Sequence, residues 1–183
     1  MHIIETGFSG LYIIEPVVYK DSRGYFFESY NQMELDKNML VFKTVQDNES
    51  FSAANVIRGL HYQLNPMAQS KLIRVIKGRI RDVVLDLRKS SKTFGRWKSV
   101  DLNSESKQQL LIPKGFAHGF SVLSQETILL YKCDNYYSPE HERGIAFDDA
   151  RLNIDWGLDL QNAIISDKDR KNPVFSKAEY NFD

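Results

Sequence analysis

Cysteine is almost absent from this chain. Cys133 is the only one among 183 residues, so no internal disulfide can brace the fold. Long apolar runs are missing too. The longest, such as Ile128-Leu129-Leu130-Tyr131, meet a charge within a few residues, far short of the about 18 apolar residues of a membrane helix. The opening residues Met1-His2-Ile3-Ile4-Glu5-Thr6 lack the basic and then apolar regions of a secretory signal. Neither sign of charge is in excess: 24 Lys and Arg balance 24 Asp and Glu. Nucleic-acid binders usually carry a basic surplus, so a polyanion-binding face is not expected, although a small basic pocket for one phosphorylated ligand is compatible with the balance. Ten glycines and five prolines are too few for a linker-like or collagen-like chain. What is plentiful is core material, 42% hydrophobic and 12% aromatic residues, which excludes disorder. A soluble cytoplasmic protein with one domain over residues 1–183 is the expectation.

Strand periodicity dominates. Leu11–Val18, Gly24–Tyr30, Val56–Gln63, Leu72–Ile76, Ile80–Leu87, Trp97–Leu102, Gln109–Ile112, Gly119–Leu123 and Thr127–Asn135 are short and rich in β-branched or aromatic residues. Turn residues recur between them, among them Pro66, Gly78, Gly95, Pro113-Lys114-Gly115, Pro139 and Gly144. Lys77-Gly78-Arg79 has the length of a hairpin connection. Helix is predicted only at Gln32–Asn38 and Ser166–Lys171. No repeat or linker divides the chain. The pattern predicts an all-β sandwich, jelly roll or barrel.

Candidate chemistry begins with the histidines, His2, His61, His118 and His141. No second His or Cys lies near His61, whereas zinc and iron sites need three or four converging ligands, so no metal is expected. A lone imidazole can instead act as a base if a carboxylate orients it. Alternation places Gly59, His61 and Gln63 on one face of their strand and Arg58, Leu60 and Tyr62 on the other. A core histidine with a backbone partner fits the same spacing. Lys71 and Ile73 share a face opposite Leu72 and Arg74; with Arg79 and Arg81 these cations suit a solvated face. An inward Lys71 would instead need an anion or a developing negative charge beside it. Gly115 and Gly119 bracket His118 at what reads as a corner between strands. Asp167 and Asp169 read equally well as surface charges.

Taken in order, several segments resemble the dTDP-4-dehydrorhamnose 3,5-epimerase family of nucleotide-sugar epimerases. They are Asp21-Ser22-Arg23-Gly24-Tyr25-Phe26-Phe27-Glu28, Gln46-Asp47-Asn48 with Ser50, Val56–Gln63, Lys71–Val75, Ser91–Gly95, Ile112–Phe120, Leu130-Tyr131-Lys132, Asn135–Pro139 and Ser166–Asp169. The similarity runs from about residue 10 to 173. Phe147-Asp148-Asp149 and Trp156-Gly157 depart from the family pattern, which has Trp at the first of these and Trp-Pro at the second.

The resemblance implies a cupin-like jelly roll, a homodimer, and catalysis without metal or organic cofactor. It implies that His61 removes protons beside the C4 ketone of dTDP-4-dehydro-6-deoxy-D-glucose, with Asp169 holding that imidazole. Lys71 would stabilise the enolate, and Tyr131 would return a proton on the opposite face. Arg23, Glu28, Gln46, Asn48, Arg58, His118, Glu142 and Lys168 match substrate-contacting positions, and Tyr137 matches an aromatic that stacks on thymine. Three alternatives stand beside it: a relative that keeps the His, Asp and Lys set but inverts only C3 or C5 or accepts a related nucleotide-sugar or heptose, a non-catalytic nucleotide-sugar-binding cupin marked by loss of His61, Asp169 or Tyr131, and a metal-dependent cupin isomerase or oxygenase.

Overall fold

The computed structural model describes residues 1–183. Thirteen strands follow one another: β1 His2–Glu5, β2 Tyr12–Glu15, β3 Tyr19–Asp21, β4 Gly24–Phe26, β5 Gln46–Ala53, β6 Ile57–Gln63, β7 Lys71–Lys77, β8 Arg79–Asp86, β9 Trp97–Asn103, β10 Gln109–Ile112, β11 Phe116–Val122, β12 Glu126–Cys133 and β13 Glu142–Gly144. They form a six-stranded sheet, β1-β2-β10-β7-β12-β5, a five-stranded sheet, β13-β6-β11-β8-β9, and the small hairpin β3-β4. Every pairing between strands is antiparallel. The two large sheets face each other as a cupin-like jelly roll, the all-β class predicted from the sequence.

One helix, α1 Gln32–Lys37, begins where Asn31 caps it by accepting from the Glu34 N–H at 3.3 Å. The segment predicted as a helix over Ser166–Lys171 is a 3-10 turn at Asp169–Lys171. The Lys77-Gly78-Arg79 connection is not a hairpin. β7 and β8 belong to different sheets, so the chain crosses between layers at Gly78. Gly78 has φ +84°, and a Cβ there would overlap the Glu126 carbonyl and Ser124 Oγ, so only glycine makes this crossing.

Alternation sorts the side chains into three apolar layers. Ile73, Val75, Ile80, Val84, Phe120 and Leu129 meet between the sheets. Val83, Leu85 and Leu87 face away from that space and pack under the C-terminal segment with Ile145, Phe147 and Trp156. The indole N–H of Trp156 donates to the Phe147 carbonyl at 2.8 Å, joining the two places where the sequence departs from the family pattern. Leu72, Leu111 and Ile14 cover the outer face of the six-stranded sheet beneath Leu35 of α1. Ser91 and Thr93 hydroxyls donate to buried Asp86 at 2.6 and 2.7 Å. That motif is a structural network at a distance from the cavity described next.

Candidate active site

Between the sheets, on the side where β6 and β11 face β5 and β12, apolar filling gives way to polar side chains. β5 explains why: its sequence, QDNESFSA, directs Gln46, Asn48, Ser50 and Ser52 inward, since Asn48 and Ser50 pair across from Tyr131 and Leu129. A cavity of about 480 Å³ is lined by His61, Lys71, His118, Tyr131, Arg58 and Asp169, with Lys168 at its margin. A second lobe of about 260 Å³ shares His61, Lys71 and Tyr131 and adds Gln46, Asn48, Tyr137 and Glu142.

His61 Nε2 lies 2.6 Å from Asp169 Oδ1. Asp169 is 4% exposed, and its other oxygen accepts from the Gly59 N–H at 3.2 Å. Its own N–H donates to Ser166 Oγ at 3.1 Å. Burial pushes the Asp169 carboxyl up, but the hydrogen bond and charge of His61 and the Gly59 N–H together hold it below its usual range. An ionised Asp169 accepts, so Nε2 of His61 carries the proton and Nδ1 is left with a free lone pair. The surface-charge reading holds for Asp167, which is exposed, and fails for Asp169.

Arg58 is where simple alternation breaks. His118 pairs with His61 but Phe120 pairs with Arg58, so β6 holds one extra residue, a β-bulge at Gly59-Leu60. Leu60 and Tyr62 join the outer core, whereas Arg58 turns to the cavity and donates to Ser52 Oγ at 2.9 Å. Gly59 has φ +119°, and its Cβ would lie 2.6 Å from Gly119 Cα. The two glycines let β6 and β11 approach there, so 116–122 is one strand rather than a corner.

Lys71 and Tyr131 come from the opposite sheet. Burial pushes the Lys71 ammonium down, opposed by Cys133, Asp82 and Glu142. Burial pushes the Tyr131 phenol up, so it is a neutral O–H donor around neutral pH. In the second lobe Glu142 Oε2 accepts from Tyr137 Oη at 2.7 Å and Lys168 Nζ at 2.6 Å. Despite burial, those two partners hold Glu142 below its usual range. Gln46 Oε1 accepts from the Tyr137 N–H at 3.0 Å, which fixes the loop that presents the half-exposed Tyr137 ring.

Arg23 and Glu28 are not brought to this cavity. Arg23, with 88% of its side chain exposed, pairs with Asp21 on the β3-β4 hairpin. Glu28 accepts from Asn31 Nδ2 at 3.0 Å and lines a recess with Leu72, Gln109 and Ile14. Those residues occupy the outer face of the six-stranded sheet, and Lys71 the inner, so the sheet itself separates Glu28 from His61. One site residue escaped the sequence reading. Asp82, fully buried, pairs with His118 Nε2 at 2.9 Å through Oδ2. Its signal was present, an acid between Ile80 and Val84 on one face of its strand. No group of three or more His, Cys, Asp or Glu side chains converges in a metal-ligating cluster. No helix is long and apolar enough to cross a membrane.

Residues 5–177 match the dTDP-4-dehydrorhamnose 3,5-epimerase family. The chain is 48% identical to a dTDP-4-dehydrorhamnose 3,5-epimerase of Shigella flexneri, over 98% of this chain and 99% of that protein. Its structure resembles that of the Bacillus anthracis enzyme of the same name with TDP and PPi bound, at TM-score 0.92 and 47% identity, covering 95% and 99% of the two chains. It also resembles a Legionella pneumophila dTDP-6-deoxy-D-glucose-3,5-epimerase in complex with dTDP-4-keto-L-rhamnose, at TM-score 0.91 and 44% identity, covering 96% and 93%. This chain belongs to the dTDP-4-dehydrorhamnose 3,5-epimerase family.

Proposed function

We propose that the His61 cavity converts dTDP-4-dehydro-6-deoxy-D-glucose to dTDP-4-dehydro-L-rhamnose by inverting C3 and C5. The enzyme is an isomerase of its family. The observation that supports this reading is the placement of His61 and Tyr131 on facing walls. His61 stands on β6 of the five-stranded sheet and Tyr131 on β12 of the six-stranded sheet, both lining one cavity. A carbon held between them loses a proton to one wall and gains one from the other, which inverts it.

The C4 ketone acidifies the hydrogens at C3 and C5. His61 Nδ1 takes the proton, and the C–H electron pair moves into an enolate with its charge on the ketone oxygen. Asp169 steadies the imidazolium that forms. Lys71 lies beside the cavity as a cation for that oxygen. The Tyr131 O–H then donates to the opposite face of the carbon, and its phenolate regains a proton from solvent as His61 releases one. A second round at the other carbon completes the product. The ketone supplies the acidity, so this reading requires neither a metal nor an organic cofactor.

For the nucleotide, Arg58 offers a planar fork to phosphate and the Tyr137 ring a face for thymine, with Gln46, Asn48, His118, Glu142 and Lys168 around them. Arg23 and Glu28 join this set if a second copy supplies them, and we infer a homodimer on that ground. Exposed Tyr19, Tyr25 and Phe26 on the β3-β4 hairpin and the unpaired outer edge of β5 are the surfaces available for it. The reading places the reaction in the cytoplasm, where buried Cys133 stays a thiol.

Incubation with dTDP-4-dehydro-6-deoxy-D-glucose, a rhamnose-forming reductase and NADPH tests the function. NADPH oxidation that depends on this protein is the expected result, and its absence rejects the reading. Mixing inactive His61→Ala and Arg23→Ala proteins under subunit exchange tests the shared site. Hybrid dimers hold one intact site each, so activity recovers to about a quarter of wild type. No recovery rejects the subunit assignment.

A further inference from the structure

The cavity holds a second imidazole–carboxylate pair beside the first. His118 is the cross-strand partner of His61, and its Nε2 is bound by Asp82 Oδ2 at 2.9 Å. Asp82 is 0% exposed, and its other oxygen, Oδ1, is buried with no hydrogen-bond partner. Burial of a half-satisfied carboxylate costs stability, and its neighbours on the inward face of β8, Ile80 and Val84, show that an apolar side chain suits this layer. A carboxyl group kept in so unfavourable a place points to function.

We propose that Asp82 is a positioning residue for the enolate side of the reaction: it fixes the His118 ring through Nε2 and supplies a counter-charge to Lys71, leaving Lys71 Nζ for the ketone oxygen. The charged and titratable groups around these residues are few. Asp82 on β8 senses His118 from β11 and Lys71 from β7. Lys71 senses Cys133 from β12, Asp82 from β8 and Glu142 from β13. Cys133 is a buried thiol whose own proton is held by burial, and Glu142 is already paired with Lys168. Asp82 is thus the anion without a lysine partner of its own in this set. Its loss leaves Lys71 to the effect of burial, which disfavours the ammonium.

This inference rests on the reading that the cavity enolises a keto-sugar, and the test separates the two. Wild-type protein that exchanges no substrate hydrogen with solvent defeats the functional reading itself. With wild type active, Asp82→Asn preserves shape and an acceptor for His118 but removes the charge, and Asp82→Leu removes both. The expected result for each is a kcat lower by about 10- to 100-fold, a KM within about threefold of wild type, and a thermal midpoint equal to or above wild type. The alkaline limb of the kcat–pH profile moves to lower pH as Lys71 loses its counter-charge. Unchanged kcat and an unmoved alkaline limb overturn the proposal. So does failure of both variants to fold, because the carboxylate would then serve the architecture rather than the reaction.

Discussion

His61 Nε2 and Asp169 Oδ1 meet at 2.6 Å although 108 residues separate them in the chain. Strand β6 presents the ring, and a 3-10 turn near the C-terminus brings the carboxylate to it. Asp169 bridges the ring and the Gly59 N–H at the bulge, so one carboxylate sets both the tautomer of His61 and the local backbone.

Asp169→Asn removes the charge and presents an amide that can hold the wrong tautomer. Turnover is expected to fall by about 10² to 10⁴-fold, as for other imidazole bases deprived of their carboxylate, with little change in affinity for dTDP. Steady-state kinetics with a dTDP binding titration check this; near-normal turnover would separate Asp169 from the base.

Tyr131→Phe leaves His61 untouched and deletes one oxygen. Hydrogen exchange with solvent is expected to continue while net inversion drops by about 10²-fold or more. Comparing deuterium wash-in with product formation measures the difference. Equal losses in both would assign Tyr131 to proton removal or binding instead.

Gly59→Ala introduces a Cβ 2.6 Å from Gly119 Cα and 2.8 Å from the His118 carbonyl, at φ +119°. Strain of this kind costs about 1–3 kcal/mol, and backbone atoms cannot swing aside as a flexible side chain would. Lower stability in denaturant unfolding is expected together with lost turnover, because the bulge that aims Arg58 adjoins His61.

Stability is expected to fall on acidification, and the sign follows from the carboxylates. Asp169, Glu142 and Asp149 all sit below their ordinary values of 3.8, 4.5 and 3.8 in the folded chain. Asp149 does so because the N–H groups of Phe175, Arg151 and Leu152 outweigh its burial. A depressed folded value means a stabilising contribution that is complete above the unfolded value and is lost as pH falls through the folded one. Asp82, raised by burial, opposes this trend. The denaturation midpoint should therefore hold near neutrality and decline as the pH drops below about 4.5.

Much of this architecture is legible in the residues. Apolar alternation marks β6 through β12, and on β7 it groups Lys71 with Ile73, the two side chains that face inward, although a solvated face for the cations fits the same pattern. β5 escapes that logic because its inward face is the wall of the site: Gln46, Asn48, Ser50 and Ser52 replace the apolar residues that make a strand recognisable. The direction of Arg58 depends on a bulge that period-two reasoning cannot contain. The crossing at Gly78 is a tertiary event with the local sequence of a hairpin. Asp169 came from the family resemblance alone, since its place beside His61 is set by the path of the C-terminal segment. Glu28 lies on the wrong side of a sheet for a one-chain site and Arg23 on an exposed hairpin, relations that no linear pattern encodes.

Proton NMR of the product formed in deuterium oxide tests facing-wall inversion most directly. Deuterium at both C3 and C5 of dTDP-4-dehydro-L-rhamnose is expected, with incorporation abolished in His61→Ala. Deuterium at a single carbon, or wild-type incorporation in His61→Ala, would contradict it.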